Sequence, residues 1–506
     1  MKKYIKHIGI FVASLAMVSC GDSFLTLKPQ DILTDANFFV TESDAQASLT
    51  GIYAILQREE TFSNVRDAAD IEWAMAGDMY EMDGSANRIE LHSLSLPANN
   101  TILRDVYQGA YQGIGRANTV IGRVSKMEKI GATAKASIIA QAKFLRSLFY
   151  FRLVNYWGGV PLITEELNAS SNLEISRAPA SEVWALIEAD MKEAAAVLPA
   201  TWTGANIGRV TKTAALGYLV KAALWQAKYT DAVKYSEEII AANVHDLLPK
   251  FRDVFRETNE NNKEILFSTQ FRTSVDAEGN NLVKRTAPRG APSVYTGSAA
   301  WSNFVPQKHW VDSFEKDAAG KIKDSRYWDV IIGPGEAHQD IKAFVMPASV
   351  PAGWSKTGFI VTKYWEAPAL TNAGVNTPVL RFAEVLLNYA EALNETGKPE
   401  EAMKQVNRIR TRAGLTPKPS GLAKDAVLDA IFYERRMEFI WEPAGSFSDL
   451  NRRGRFISFV KENRPNAATL EIDKKPWLAT VPILFPIPRE AWDKNKALVQ
   501  NPHYTF

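Results

Sequence analysis

The stretch "LRFAEVLLNYAEALNETGKPEEAMKQVNRIRTRAGL", Leu380 to Leu415, decides how this 506-residue chain folds. Two runs of helical periodicity flank Gly397-Lys398-Pro399. Gly and Pro together end one helix and start the next, so the triplet reads as a tight turn. Ala390 lies in the first run and Ala402 in the second. Residues that small let two helices approach closely, so the stretch reads as a helical hairpin.

The same device recurs upstream in "TKTAALGYLVKAALWQAKYTDAVKYSEEII", Thr211 to Ile240, where Ala222, Tyr229 and Ala232 flank a turn near Lys228 to Thr230. These are the positions at which a tetratricopeptide repeat (TPR) places its small residues. The copies are degenerate, which predicts a short stack of four TPR-like pairs, not a long solenoid. In "IIAQAKFLRSLFYFRLVNYWGGVPL", Ile138 to Leu162, Leu145, Phe149, Arg152 or Leu153, and Tyr156 recur at helical spacing until Gly158, Gly159 and Pro161. In "ASEVWALIEADMKEAAAVLP", Ala180 to Pro199, Ser181 is the expected N-cap, and Trp184, Ile187, Met191 and Leu198 share one face. A last helix is expected over Lys424 to Trp441. The helical framework thus covers about 101–245 and 379–441, and its tryptophans Trp157, Trp184, Trp225 and Trp441 read as packing residues.

Two regions break the pattern, about 60–100 and about 250–376. Pro, Gly, Asn and aromatics are scattered through them without a sustained 3.6-residue period, as in "RTAPRGAPSVYTGSAAWSNFVPQKHW". Strand-like pieces such as "KEILFSTQF" and "GFIVTKYW" interrupt the second. Irregular stretches of that length in a compact protein are usually functional or disordered, and aromatic content argues for order. The fold class is therefore mainly α: a TPR-like helical-pair scaffold with a large loop-rich insertion and minor short strands.

At the N-terminus, Lys2, Lys3 and Lys6 precede an apolar run from Ile8 to Val18 that is too short to span a bilayer and reads as a secretory signal. Met17-Val18-Ser19-Cys20-Gly21 then resembles a bacterial lipobox, in which the cysteine is lipidated and becomes the mature N-terminus. On that reading residues 1–19 are removed, Cys20 carries the lipid, and 20–506 form one domain. Loss of three lysines moves the net charge from +2 to −1, which gives no electrostatic case for nucleic acid. Cys20 is the only cysteine, so its lipidation excludes disulfides, thiolate catalysis and cysteine metal sites.

Six segments in order resemble the SusD/RagB family of Bacteroidetes outer-membrane lipoproteins. They are "DSFLTLKPQDILTDANFFVTESDAQASLTGIYAIL", "YQGIGRANTVIGRV", "AKFLRSLFYFRLVNYWGGVPL", "GRVTKTAALGYLVKAALW", the C-terminal group "LRFAEVLLNYAEALNETG", "NRIRTRAGL" and "YERRMEFIWE", and the ending "LFPIPREAWDKNKALVQNPHY". One departure stands out. Where the family usually has Gly-x-Arg-Trp before Asp-Leu, this chain reads Pro443-Ala444-Gly445-Ser446-Phe447-Ser448-Asp449-Leu450. The resemblance implies a cell-surface, outer-membrane lipoprotein that captures oligosaccharides and caps a SusC-like TonB-dependent transporter; some RagB-type relatives take peptides instead.

The catalytic inventory is thin. His92, His245, His309, His338 and His503 are scattered without metal-ligand spacing, and neither a nucleophile elbow nor a P-loop is present. "GIGRAN" at Gly113 follows no strand and fails the dinucleotide test. Two carboxylates suffice for glycoside hydrolysis, so a surface hydrolase stays the rival class. Asp78, Glu81 and Asp83 in "GDMYEMDG" read as a solvated acidic turn in preference to a cation site. The expectation is a binding protein without catalytic residues, cofactor or metal.

Sugar rings expose C–H faces that stack on aromatic planes while their hydroxyls seek polar partners. The loop aromatics Trp73, Tyr80, Tyr295, Trp301 and Trp354 are therefore the candidate ligand-binding residues, with Arg66, Asp70, Asn99 and Asn303 as hydrogen-bonding candidates. In relatives the pocket forms from the two loop regions, which favours Trp73, Tyr295 and Trp301. Peptide capture in a broader pocket is the alternative.

Overall fold

The protein is described by a computed structural model covering residues 38–58, 70–82, 84–168, 170–273, 279–291, 300–341, 343–366, 373–464, 475–479 and 482–506. The signal segment, Cys20, Arg66, Asp83 and Tyr295 lie outside these residues. The described chain is mainly helical with three two-stranded ribbons.

The longer helices before the insertion are α1 (Glu42–Leu56), α2 (Ala86–His92), α3 (Thr101–Ser125), α4 (Ala132–Trp157), α5 (Ala180–Val197), α6 (Lys212–Trp225) and α7 (Tyr229–Ala241). Side-chain caps start several of them. Thr41 accepts from Asp44 N while the Asp44 carboxylate accepts from Thr41 N at 2.7 Å, a reciprocal capping box. Asn100 Oδ1 accepts from Ile102 N and Leu103 N, and Thr211 Oγ1 from Ala214 N. Ser181 does not cap α5. The helix begins one residue earlier behind Pro179, whose fixed φ of −55° already suits a helix start, and Ser181 falls in the first turn.

The opening stretch forms α9 (Phe382–Glu395) and α10 (Pro399–Arg412), and short helices, among them α8 (Leu282–Thr286), lie in the insertion before it. Gly397 at φ 81° makes the turn in the left-handed region that glycine tolerates. Ala222, Ala232, Ala390 and Ala402 are all fully buried, so the small positions face the packed layers. α3 packs on α4, α4 on α5, α5 on α6, α6 on α7, α7 on α9, and α9 on α10 and α11 (Lys424–Glu438), one continuous helical stack. α11 ends at Glu438, short of the expected Trp441. Trp441 takes φ 65° and leaves the helical path, which buries its indole completely. Nor is it the last helix: α12 (Ser446–Arg452) and α13 (Phe456–Asn463) follow. Trp157 and Trp184 are buried and Trp225 half-buried on the stack, as packing residues should be.

The strand-like pieces form β2 (Ile265–Thr269) and β5 (Ile360–Val361), within the set β1 (Met79–Glu81), β2, β3 (Phe304–Pro306), β4 (Ile331–Ile332), β5 and β6 (Thr377–Arg381). β1 pairs with β3, β2 with β6 and β4 with β5, all antiparallel. β6 runs straight into α9, so the β2–β6 ribbon fastens the insertion to the opening hairpin.

A buried ionic seam makes a second fastening. Arg381 reaches Glu264 at 2.6 Å, Glu438 at 3.0 Å and Glu442 at 2.6 Å. Arg326 reaches Asp324 at 2.7 Å, Glu434 at 2.9 Å and Glu438 at 3.3 Å, and Arg412 also pairs with Glu438. Charges this deep persist only when paired and hydrogen-bonded. Lys363 shows the cost: burial pushes its pKa down to about 8 although Glu442 pairs with it. Because Glu264, Asp324, Arg326 and Lys363 belong to the insertion and Glu434, Glu438 and Glu442 to α11 and its exit, the loop-rich face is rigidly held by the scaffold.

Candidate functional site

A saccharide platform needs an aromatic plane held in place but not covered, with polar groups beside it. The β1–β3 ribbon builds the frame for one. Tyr80 lies opposite Val305 and Glu81 opposite Phe304, and Met82 N donates to Asn303 O at 2.8 Å. This ribbon joins the 60–100 region to the 250–376 insertion. Before Asn303 the chain turns at Ser302, φ 46°, whose hydroxyl accepts from Arg289 N at 2.6 Å. Three backbone hydrogen bonds then strap the segment to α8 and its exit: Trp301 N to Lys284 O at 2.8 Å, Ser302 N to Ala287 O at 3.0 Å, and Asn303 N to Arg285 O at 2.7 Å.

Trp301 is left half-buried at the end of this frame. The Lys284 ammonium lies 4.7 Å and the Arg285 guanidinium 4.9 Å from its ring centroid, close enough for cation–π attraction to fix the plane. Tyr80, also half-buried, has Lys356 over its ring at 5.4 Å and His92 edge-on at 6.2 Å. Burial first, and then the charge of Arg464, pushes the His92 pKa down to about 4, so that neighbour is neutral at neutral pH. Trp354, two residues before Lys356, is half-buried and stacks on Phe344 at 6.2 Å and 17°. Tyr80 on β1 and Trp301 just ahead of β3 thus belong to the two chains of one ribbon, each with a cation over its ring, and Lys356 brings the Trp354 loop to Tyr80.

The other candidates do different work. Trp73 is fully buried and donates its indole N–H to Glu442 O at 2.9 Å, so it is a packing residue, set in the wall of a cavity between α11, α12 and α13. Asp70 is buried against Arg88 at 2.7 Å, and Arg88 in turn lies 5.1 Å over Phe304; this carboxylate positions β3. Asn303 is buried, with Oδ1 accepting from Arg285 Nη1 at 3.3 Å, so it holds the cation beside Trp301. Asn99 is exposed, next to the Asn100 cap of α3.

Two members of the acidic turn, Asp78 and Glu81, are buried and not solvated. Asp78 is buried and bound by Arg436 at 2.6 Å, with His309 Nε2 at 3.4 Å. Burial acts to raise its pKa, but the charge and hydrogen bonds of Arg436, with His309 close by, outweigh it and hold the carboxyl below its usual range. Glu81 accepts from Gly84 N at 3.1 Å. Among the described residues, no group of three or more His, Cys, Asp or Glu side chains is placed to hold a metal ion.

Sequence reasoning missed Lys284, Arg285 and Lys356, the cations that flank the rings. Their signal is tertiary. Only the Lys284-Arg285 pair is visible locally, and nothing near it in sequence is aromatic.

Comparison with known proteins is consistent along the whole chain. Residues 345–504 match the family profile described as "SusD family", and residues 23–224 match "Starch-binding associating with outer membrane". A SusD-like protein of Formosa agariphila is 25% identical, with 98% of each chain covered, and one of Bacteroides ovatus is 26% identical over 87% of this chain and 81% of its own. The chain belongs to the SusD/RagB family. Solved SusD structures share its fold. One from Bacteroides vulgatus superposes with a TM-score of 0.77 at 21% identity, covering 92% of this chain and 100% of that one. A laminarin-binding SusD-like protein gives 0.74 at 24% over 92% and 100%, and surface glycan-binding protein A of Bacteroides uniformis gives 0.74 at 22% over 91% and 99%. Neither matched profile description names a reaction.

The departure from the SusD/RagB pattern at Pro443–Leu450 has its own packing logic. Phe447 is buried and stacks on Phe485 at 5.4 Å and 12°. Ser448 N donates to Glu72 Oε2 at 2.9 Å, its hydroxyl donates to Glu72 Oε1, and Tyr156 donates to the same oxygen at 2.7 Å. Gly445 leaves room for that carboxylate: a Cβ there would sit 1.6 Å from Glu72 Oε2.

Proposed function

We propose that this chain is a non-catalytic cell-surface lipoprotein that captures oligosaccharides and passes them to a SusC-like TonB-dependent outer-membrane transporter. The observation that carries the reading is Trp301: a half-exposed indole, strapped by backbone hydrogen bonds and flanked by Lys284 and Arg285. A plane ordered before the ligand arrives loses little entropy on binding. Tyr80 and Trp354 extend the stacking surface, and the masked-from-solvent groups Asn303 and Arg88 keep the ribbon in register beneath it.

The family supports the class of ligand. Its N-terminal profile is described as starch-binding and outer-membrane associated, and fold neighbours include laminarin-binding and surface glycan-binding proteins. No helix among the described residues is long and apolar enough to cross a membrane. Attachment is through lipid on Cys20, where more than one acyl chain gives stable anchoring and a single chain is marginal. Residues 20–506 act as one unit, the helical stack carrying the ribbon that presents Trp301.

Calorimetry of the mature chain against neutral oligosaccharides tests the reading. Trp301→Ala is expected to weaken binding at least tenfold, about 1.4 kcal/mol, with an unchanged melting temperature. Retention of full affinity removes Trp301 from the site. Co-purification of a large β-barrel transporter from detergent-solubilised membranes tests the partner.

A further inference from the structure

A concavity lies between α11, α12 and α13. Its volume is about 540 Å³, within the ~300–1,000 Å³ typical of small-molecule sites. Tyr80, Trp301 and Trp354 do not line it, whereas the buried Trp73 forms part of its wall. Phe432 and Tyr433 of α11 and Phe459 of α13, all half-buried, supply ring surface on two sides. Ser446, Ser458 and Asn463 add hydroxyls and an amide.

The charge arrangement narrows the ligand. Three arginines line or approach this space, and each is already matched. Arg435 Nε donates to Asp449 at 2.7 Å, Arg436 Nη2 to Asp78 at 2.6 Å, and Arg455 Nη1 to Asp429 at 2.7 Å. Arg436 also lies 4.9 Å over Phe459, and Arg455 5.5 Å over Phe432. The ion pairs hold the rings and offset one another's charge, and Glu462 adds a further carboxylate, so among the described lining residues a phosphate or carboxylate finds no cation without a carboxylate partner. Rings beside paired polar groups, with hydroxyls at the rim, suit a ligand with apolar C–H faces and neutral hydrogen-bonding edges.

We propose that this cavity is a second saccharide site, selective for a neutral sugar chain. The proposal rests on the carbohydrate-binding reading above and adds a separate place of engagement. Two sites on one surface protein raise avidity for a long polysaccharide, because the second contact becomes intramolecular.

The test counts sites. Calorimetric titrations use maltohexaose, laminarihexaose, xylohexaose and mannohexaose against the mature chain, Trp301→Ala, Ser458→Trp and the double variant. Ser458 is exposed at the cavity rim and its hydroxyl bonds only within its own helix, to Arg455 O at 3.0 Å, so the new indole fills the mouth without disturbing the core. Phe459→Ala, checked for an unchanged melting temperature, removes a wall instead of blocking the entrance. The expected result is two equivalents for the unmodified chain, one for Trp301→Ala and for Ser458→Trp, and none for the double variant. One equivalent abolished by Trp301→Ala and untouched by Ser458→Trp overturns the second site and leaves the first. Silence with all four sugars overturns both readings.

Discussion

Gly445→Ala is a small substitution with a large expected penalty. A Cβ at this position lands 1.6 Å from Glu72 Oε2, while ordinary contact begins near 3.4 Å, so something must move by nearly 2 Å. The carboxylate is fully buried and accepts from Ser448 N, Tyr156 Oη and the Ser448 hydroxyl. Hydrogen bonds to a charged group contribute ~1.5–3 kcal/mol each, so displacing the carboxylate outright costs more than shifting the backbone of α12, for which overpacking costs ~1–3 kcal/mol. The chain takes the cheaper route in part, and the expected loss is about 3 kcal/mol. A double-mutant cycle with Glu72→Ala isolates the clash, using urea midpoints followed by circular dichroism. With the carboxylate gone, Gly445→Ala should cost within ~0.5 kcal/mol of nothing. Gly397→Ala is the control: its Cβ meets open space and only the positive φ is penalised, by about 1 kcal/mol. A Gly445→Ala loss below 1 kcal/mol, or strict additivity with Glu72→Ala, refutes the close approach.

Three further outcomes follow from the same structure. Glu438→Gln removes a charge that Arg326, Arg381 and Arg412 share, and should cost ~3–5 kcal/mol in denaturant titrations; a loss under 1 kcal/mol would mean the seam is not desolvated. His338 Nδ1 accepts from Ile341 N at 2.9 Å and Asp340 N at 3.2 Å, and burial, opposed by Asp340 and aided by Arg252 and Arg256, pushes its pKa down from 6.5 to about 4. The folded state therefore binds fewer protons than the unfolded one between pH 6.5 and 4, so stability present at pH 7 falls as the pH drops through that window, by ~3 kcal/mol at most. His338→Asn keeps an acceptor without the titration and should make the profile shallower there, leaving the parallel contribution of His92; an unchanged slope assigns the acid sensitivity elsewhere. Lys284→Ala should loosen the Trp301 plane, weakening sugar binding a few-fold with no change in melting temperature; an unchanged affinity would show that the backbone strap alone orders the ring.

The scaffold was legible because its signals are local. Gly397-Lys398-Pro399, Ala390 and Ala402 state the hairpin within 36 residues of sequence, and the structure repeats it at Ala222 and Ala232. Capping was misread at Ser181, where Pro179 precedes the first helical residue instead. The loop aromatics looked alike in sequence and separate only by distant partners. Trp73 is buried because Glu442, 369 residues away, accepts its indole N–H. Trp301 stays half-exposed because Ser302 turns the chain and α8 holds it. Asp70 and Asn303 carry the polar groups a sugar would need, but Arg88 and Arg285 engage them. The two loop regions were recognisable as irregular; that a β1–β3 ribbon ties them together depends on pairing between Tyr80 and Val305, which no local pattern announces.

The central claim is that Trp301 presents a carbohydrate-binding plane on a protein that performs no reaction. Calorimetric titration of the mature chain and of Trp301→Ala with neutral oligosaccharides and with oligopeptides, followed by chromatography of the recovered ligand, addresses it most directly. The account predicts sugar binding by the mature chain, at least tenfold loss in Trp301→Ala, and ligand recovered uncleaved. Binding of peptides alone, equal sugar affinity in the two proteins, or release of shorter sugars would contradict it.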